Sequence, residues 1–297
     1  MITPDHERVR PPTGDGFADS VTVAFGDPNA DLCALARLGI VPGAGPRVSA
    51  LAVLCSGGRP VAAVAQSQIE VTAPGWAEID AAGLRMETHE PLRAWRVAFT
   101  AEAASFDVRC SALTPPIELD ADSPPALAGG MQGYDQLVGV SGTVTAGGAE
   151  RKVTALGQRT HAWGIADWDR LESVRTVGAW LGQDRAVGLQ AVRRPGARGH
   201  EADAVSAWML GEEGASALSE ARLSTTYDDE GRQRRAGLEL WERADSEYPH
   251  RVAGEVVSPT TLDLGALRLD VAFFRFRMEG QEGAGRYDLL RRVEAAG

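Results

Sequence analysis

Short runs in which apolar and polar residues alternate, each closed by a turn signal, recur along the chain. Residues 46–72 read as a strand, a Ser56-Gly57-Gly58-Arg59 turn and a second strand. Trp95, Val97 and Phe99 alternate with polar or small residues. Phe106, Val108, Cys110 and Ala112 then alternate with Asp107, Arg109 and Ser111. A period of two sends successive side chains to opposite faces of a sheet, so each run predicts a half-buried strand. Farther on, Tyr134, Gln136, Val138, Val140 and Val144 share one face. Ala146-Gly147-Gly148-Ala149 turns the chain into a strand with Val153, Ala155 and Gly157 on one face. Gly211-Glu212-Glu213-Gly214 and Asp228-Asp229-Glu230-Gly231 are further hairpin tips. Few stretches carry a 3.6-residue period with caps. The pattern predicts an all-β protein, with turns spaced for a barrel or sandwich.

Two irregularities refine that picture. Leu267, Leu269, Val271 and Phe273 occupy odd positions, then Phe274, Phe276 and Met278 occupy even ones. Either a β-bulge or a strand buried on both faces produces this switch. Between Thr114 and Gly130, Pro115, Pro116, Pro124, Pro125, Gly129 and Gly130 flank an acidic stretch that no central strand tolerates. The expected division is an arm at 1–20, a first β domain at 21–114, a linker at 115–130 and a second β domain at 131–297. A length of 297 residues, near the limit for a single core, agrees with two units.

Charge narrows the function classes. The 30 basic and 41 acidic residues give a net charge of −11 with no basic stripe, so no nucleic-acid partner is expected. Cys33, Cys55 and Cys110 lie far apart in apolar stretches and read as buried, reduced thiols of a cytoplasmic protein. Residues 1–20 are polar and Pro-rich, without the apolar stretch of a secretion signal. No window of about 18 apolar residues exists, so no integral membrane segment is expected. Walker, G-x-S-x-G, H-E-x-x-H and paired C-x-x-C motifs are absent, and His6, His89, His161, His200 and His250 are never at ligand spacing. A metal site is therefore not expected.

The densest chemistry lies in Gly157-Gln158-Arg159-Thr160-His161-Ala162-Trp163-Gly164-Ile165-Ala166-Asp167-Trp168-Asp169. On a strand, His161 and Trp163 point to one face, and Asp167 and Asp169 do so after a kink at Gly164. Imidazole, indole and carboxylates around one cavity supply an acid/base pair beside a π surface that steadies a cation. The alternative is a Trp-rich plug closing a barrel end, with His161 hydrogen-bonded to hold the turn.

This segment, with Tyr134–Gln136, Val140-Ser141-Gly142-Thr143-Val144 and the Gly147-Gly148 turn, resembles the lipocalin-like carotenoid 1,2-hydratase (hydroxyneurosporene synthase) family and its uncharacterised actinobacterial relatives. Phe273–Met278 and Gly283-Ala284-Gly285-Arg286-Tyr287-Asp288 are similar to the closing strands of those relatives. The resemblance implies two lipocalin-like (calycin-type) antiparallel β-barrels packed together, with an apolar cavity near their junction. It also implies acid-catalysed hydration or cyclisation of a lipophilic isoprenoid or polyene without metal or organic cofactor. The histidine and tryptophan of the family's H-x-W carry over to His161 and Trp163. Its downstream tyrosine and aspartate fall by spacing near Gly188 and Gln190, which supply no such acid. The relatives' R-D-H-S-W-G reads here as Arg159-Thr160-His161-Ala162-Trp163-Gly164, and Ala166 replaces an arginine.

These readings give Asp167 or Asp169 as the acid, with His161 as partner or base. Trp163, Trp168, Trp95, Trp208 and Phe274 are the candidates for the cavity wall, with ordinary barrel core the stronger reading for Trp95 and Trp208. A pericyclase that only templates a polyene and a non-catalytic carrier of a hydrophobic small molecule are the alternatives.

Overall fold

A computed structural model of the chain describes residues 1–27, 32–199 and 202–293, so His200 lies outside the described residues. The first half forms β1 (Phe17–Gly26), β2 (Leu32–Val41), β3 (Arg47–Ser56), β4 (Arg59–Glu70), β5 (Glu78–Ala81), β6 (Leu84–Glu90), β7 (Ala94–Thr100), β8 (Ala104–Ala112) and a short β9 (Ile117–Leu119). A one-turn helix, α1 (Pro124–Gly129), precedes a long hairpin of β10 (Met131–Ala146) and β11 (Ala149–Ile165). The turn expected at 146–149 is present, with Gly147 and Gly148 at φ 58° and 78°, the left-handed pair that a two-residue hairpin turn requires.

These strands form one curled antiparallel sheet in the order β4-β3-β2-β1-β11-β10-β8-β7-β6-β5, with β9 on β10. The hairpin is the centre of that sheet: β11 pairs with β1, and β10 with β8. Without it, β1–β4 and β5–β8 are two unconnected meanders. This is why the chain divides differently from the expectation. The first compact unit takes in residues 131–166, and the segment 121–130 goes with the second. The proline-rich stretch marks a chain crossing, but the long-range strand pairing decides the unit.

The remaining strands are β12 (Ser173–Trp180), β13 (Ala186–Arg193), β14 (Ala204–Gly211), β15 (Gly214–Ala217), β16 (Glu220–Tyr227), β17 (Gln233–Trp241), β18 (His250–Asp263), β19 (Leu267–Met278) and β20 (Gln281–Arg292). They form a second curled sheet, β15-β14-β13-β12-β20-β19-β18-β17-β16, again two meanders joined at their first and last strands. Each unit is thus an antiparallel, lipocalin-like barrel or half-barrel. Among the described residues no helix is long and apolar enough to cross a membrane.

Alternation builds each core. In the first barrel Val21, Val23, Phe25, Leu38, Ile40, Trp95, Val97, Phe99, Phe106, Val108 and Val140 belong to one buried cluster. In the second, Val187, Leu189, Met209, Leu238, Phe274, Phe276 and Tyr287 do the same. The irregular strand is β19: Asp270, Val271, Ala272, Phe273 and Phe274 are all buried, so both of its faces are covered. A register shift lies opposite, between Val256 and Ser258 of β18, so the bulge belongs to the partner strand. Cys33, Cys55 and Cys110 are buried and free.

Candidate functional site

At one end of the first barrel the inward faces of β1, β10 and β11 stop being apolar. Phe17, Asp19, Val21 and Val23 share a face of β1, and Arg159, His161 and Trp163 continue the inward face of Val153 and Ala155 on β11. Tyr134 and His161 are direct cross-strand partners, and Asp19 sits opposite Trp163, one inward position from His161. Gly133 permits the close approach of β10, since a Cβ there would lie 2.1 Å from the His161 carbonyl oxygen. Gly164 stands at φ 145°, a conformation that favours glycine, and β11 runs through it in register with β1 and β10, with no break in the pairing.

His161 is fully buried, and its Nε2 lies 2.7 Å from Asp19 Oδ1. A carboxylate accepts, so the pairing assigns the ring proton to Nε2 and leaves Nδ1 unprotonated, 3.3 Å from the oxygen of the Tyr134 hydroxyl, whose own proton goes to Glu7. Burial pushes the His161 pKa below its usual 6.5 despite the opposing pull of Asp19, so the neutral ring prevails at pH 7. Burial likewise raises Tyr134, keeping the phenol protonated. Asp19 Oδ2 accepts the Arg10 backbone N–H at 2.6 Å.

A second carboxylate enters from outside the strands. Residues 4–7 form a short 3-10 turn, and Glu7, 5% exposed, reaches into the barrel end. Its Oε2 accepts Arg159 Nη2 at 2.7 Å and Trp95 Nε1 at 3.3 Å, and its Oε1 accepts the Tyr134 hydroxyl at 2.5 Å. Arg159 Nη1 also donates to the Tyr134 oxygen, and the guanidinium lies 4.4 Å from the Trp95 ring centroid. Burial opposes the Arg159 charge, but Tyr134 and Glu7 outweigh it and raise its pKa. Indoles surround the imidazole: the Trp76 and Trp163 ring centroids are 5.6 and 5.4 Å away. Arg10 lies over Trp163 at 5.2 Å.

The structure places Trp163 beside His161, and Trp95 beside Glu7 and Arg159. The carboxylate beside His161 is Asp19, in place of the expected Asp167 or Asp169. Those two belong to the second unit and are exposed: Asp167 accepts the Asp169 backbone N–H, and Asp169, 88% exposed, pairs with Arg292. Trp168 is half-buried in the same turn, its carbonyl accepting from Arg292. Trp208 and Phe274 belong to the second barrel, where the Trp208 indole lies over Gly188 and Phe274 stacks on Phe276. Gly188 and Gln190, the positions matched by spacing to the hydratase tyrosine and aspartate, lie on β13 of that barrel. The tyrosine and the aspartate that border His161 are Tyr134 on β10 and Asp19 on β1.

Alternation alone missed Asp19, Glu7 and Arg159. For Asp19 and Arg159 a signal existed, a charged residue on an otherwise apolar inward face; Glu7 sits in no periodic segment. Among the described residues no three His, Cys, Asp or Glu side chains are grouped to hold a metal ion. Inside the barrel, Val21, Val23, Trp76, Met86, Trp95 and Arg159 border a crevice of about 10 Å³, room for one water. A wider groove of about 450 Å³ lies on the outer face of the sheet, bordered by His89, Arg96, Asp107, Arg109 and Ser141, and is crossed by the Arg96–Asp107 ion pair.

Over residues 3–292 the sequence matches a single family. The chain belongs to DUF7064, a domain of unknown function. No curated protein matches it. Solved structures share its fold over nearly the whole length. A protein assigned as AttH from Nitrosomonas europaea has a TM-score of 0.69 at 13% identity, with 93% of this chain and 92% of that one covered. CghA, solved with Sch210972, scores 0.63 at 11% identity, covering 94% and 89%. Kievitone hydratase from Nectria haematococca scores 0.62 at 11%, covering 98% and 93%. At such identities the likeness establishes the two-domain, lipocalin-like fold for this DUF7064 member.

Proposed function

We propose that this DUF7064 protein is a cofactor-independent enzyme that hydrates or cyclises a lipophilic small molecule, an isoprenoid or polyene, inside the first barrel. The observation that carries the proposal is His161, fully buried between Asp19 and Tyr134 and walled by indoles. Asp19 orients the ring and offsets the charge of a transient imidazolium, so His161 takes up and returns a proton during the reaction. In hydration, a proton from this relay adds to one alkene carbon and water adds to the other. The proton released by the bound water returns to the relay. Indole faces offset the intervening positive charge, each by about 1–2 kcal/mol when desolvated. The fold shared with kievitone hydratase supports hydration as the first chemistry to assay.

The test is turnover of isoprenoid alcohols and polyenes by wild type, Asp19→Asn, His161→Ala and Tyr134→Phe. Loss in all three supports the relay. Turnover that survives His161→Ala indicates templating alone, and binding without conversion over long incubation indicates a carrier.

A further inference from the structure

Deepening the proposed reading of this site, we infer that Arg159, Trp95 and Tyr134 form a carboxylate-binding subsite, occupied by Glu7 at rest and open to an acidic substrate when Glu7 withdraws. Three observations carry this.

The donors come first. Arg159 Nη2, Trp95 Nε1 and the Tyr134 hydroxyl converge on one carboxylate. Two more buried N–H groups at the crevice, Arg159 Nε and Trp76 Nε1, make no hydrogen bond among the described residues. Such a wall of donors beside an arginine favours an anion, and the planar guanidinium suits a carboxylate.

The origin of the carboxylate comes second. Arg159 lies on β11, flanked by β1 and β10, and its side chain is only 1% exposed. Glu7 belongs to no strand. It stands on a segment, 3–16, that is otherwise half-buried or exposed, so this anion can leave without breaking the sheet.

Space comes third. Ligand sites of this kind hold roughly 300–1,000 Å³, whereas the crevice beside Arg159 measures about 10 Å³. With so little free volume beside Arg159, an anion reaches the guanidinium only in the place that the Glu7 carboxylate now holds. An acid replaces it charge for charge; the corresponding alcohol leaves Arg159 buried and unpaired.

The experiment compares hexadecanoic acid with hexadecanol, read by tryptophan fluorescence, on wild type, Glu7→Gln, Glu7→Gln/Arg159→Met and the control Asp5→Asn. Glu7→Gln should bind the acid at least tenfold more tightly than the alcohol and than wild type binds the acid. Adding Arg159→Met should erase that preference, and Asp5→Asn should behave as wild type. Equal affinity for acid and alcohol in Glu7→Gln, or a preference that persists without Arg159, overturns the inference. Should Glu7→Gln fold poorly, thermal unfolding of Glu7→Ala gives the second readout. Sodium propionate should raise its Tm by several degrees beyond equimolar sodium chloride or propanol, and no difference again overturns the subsite. An acid preference with His161→Ala still fully active would sink the proposed relay and leave the subsite standing.

Discussion

The two barrels share a strand plan but treat buried charge differently. In the second, carboxylates are saturated by arginines: Asp203 is bound by Arg175 and Arg193, and Asp270 by Arg268 and Arg291. Burial pushes the Asp203 pKa up, but the two arginines outweigh it and hold it low. Its aromatic core of Phe274, Phe276 and Tyr287 carries one phenol, hydrogen-bonded to Thr225. The first barrel instead buries a histidine and a tyrosine with two carboxylates and one arginine. Arg–Asp pairs fix a structure, because neither member changes charge near neutrality. An Asp–His–Tyr set holds a proton that can move. The comparison is the reason the proposal puts the chemistry in the first barrel, without recourse to any motif.

The largest expected effect tests how the buried ions are held. Glu7→Ala strands the Arg159 guanidinium inside the sheet and should cost about 3–5 kcal/mol. Arg159→Met should cost only about 1.5–3 kcal/mol, because Glu7 can return to water on its strap and only charged hydrogen bonds are lost. Denaturant unfolding of the two variants measures the asymmetry, and equal losses would break the picture of a mobile anion on a fixed cation.

Next in size is the choice of carboxylate. Asp19→Asn should lower any turnover by roughly 10²–10⁴-fold, the usual scale for removing acid–base assistance. The double variant Asp167→Asn/Asp169→Asn should leave it within about twofold. The reverse ranking would return the chemistry to the exposed turn where the sequence placed it.

A smaller effect concerns pH. The His161 pKa is lowered in the folded state, so below about 6.5 the unfolded chain binds a proton that the folded one refuses. Stability from this group is present above 6.5 and declines as pH falls towards the folded value, at no more than about 1.4 kcal/mol per pH unit. His161→Gln should remove that component from a stability–pH profile, whereas changing the exposed His89 should not.

The smallest effect is at Cys110. Burial pushes this thiol up to about 12. A thiol reagent should therefore leave it unmodified in the native state and react quickly once denaturant opens the barrel.

The fold was legible because a half-buried strand repeats every two residues and the tips at 56–59, 146–149, 211–214 and 228–231 all carry Gly. The turns at 56–59 and 146–149 lie where the pattern put them. The units were less legible. The prolines at 115–125 look like a border, yet residues 131–166 return to the first sheet. No local signal says which earlier strand a hairpin will pair with. The candidate site was half legible: His161, Trp163 and Trp95 stand out in the sequence, whereas Asp19 stands 142 positions from His161 and Glu7 152 from Arg159.

The sequence by itself determined the class, the strands, their inward faces and the segment around His161, since all of these depend on spacing along the chain. Only the tertiary structure decided which carboxylate faces the imidazole, which unit holds the His161 segment, and that Glu7 reaches into the barrel end. Those depend on strands brought side by side from distant parts of the chain. The free energy that selects the pairing comes from burying the whole apolar face of the sheet, to which no single residue pattern is a guide.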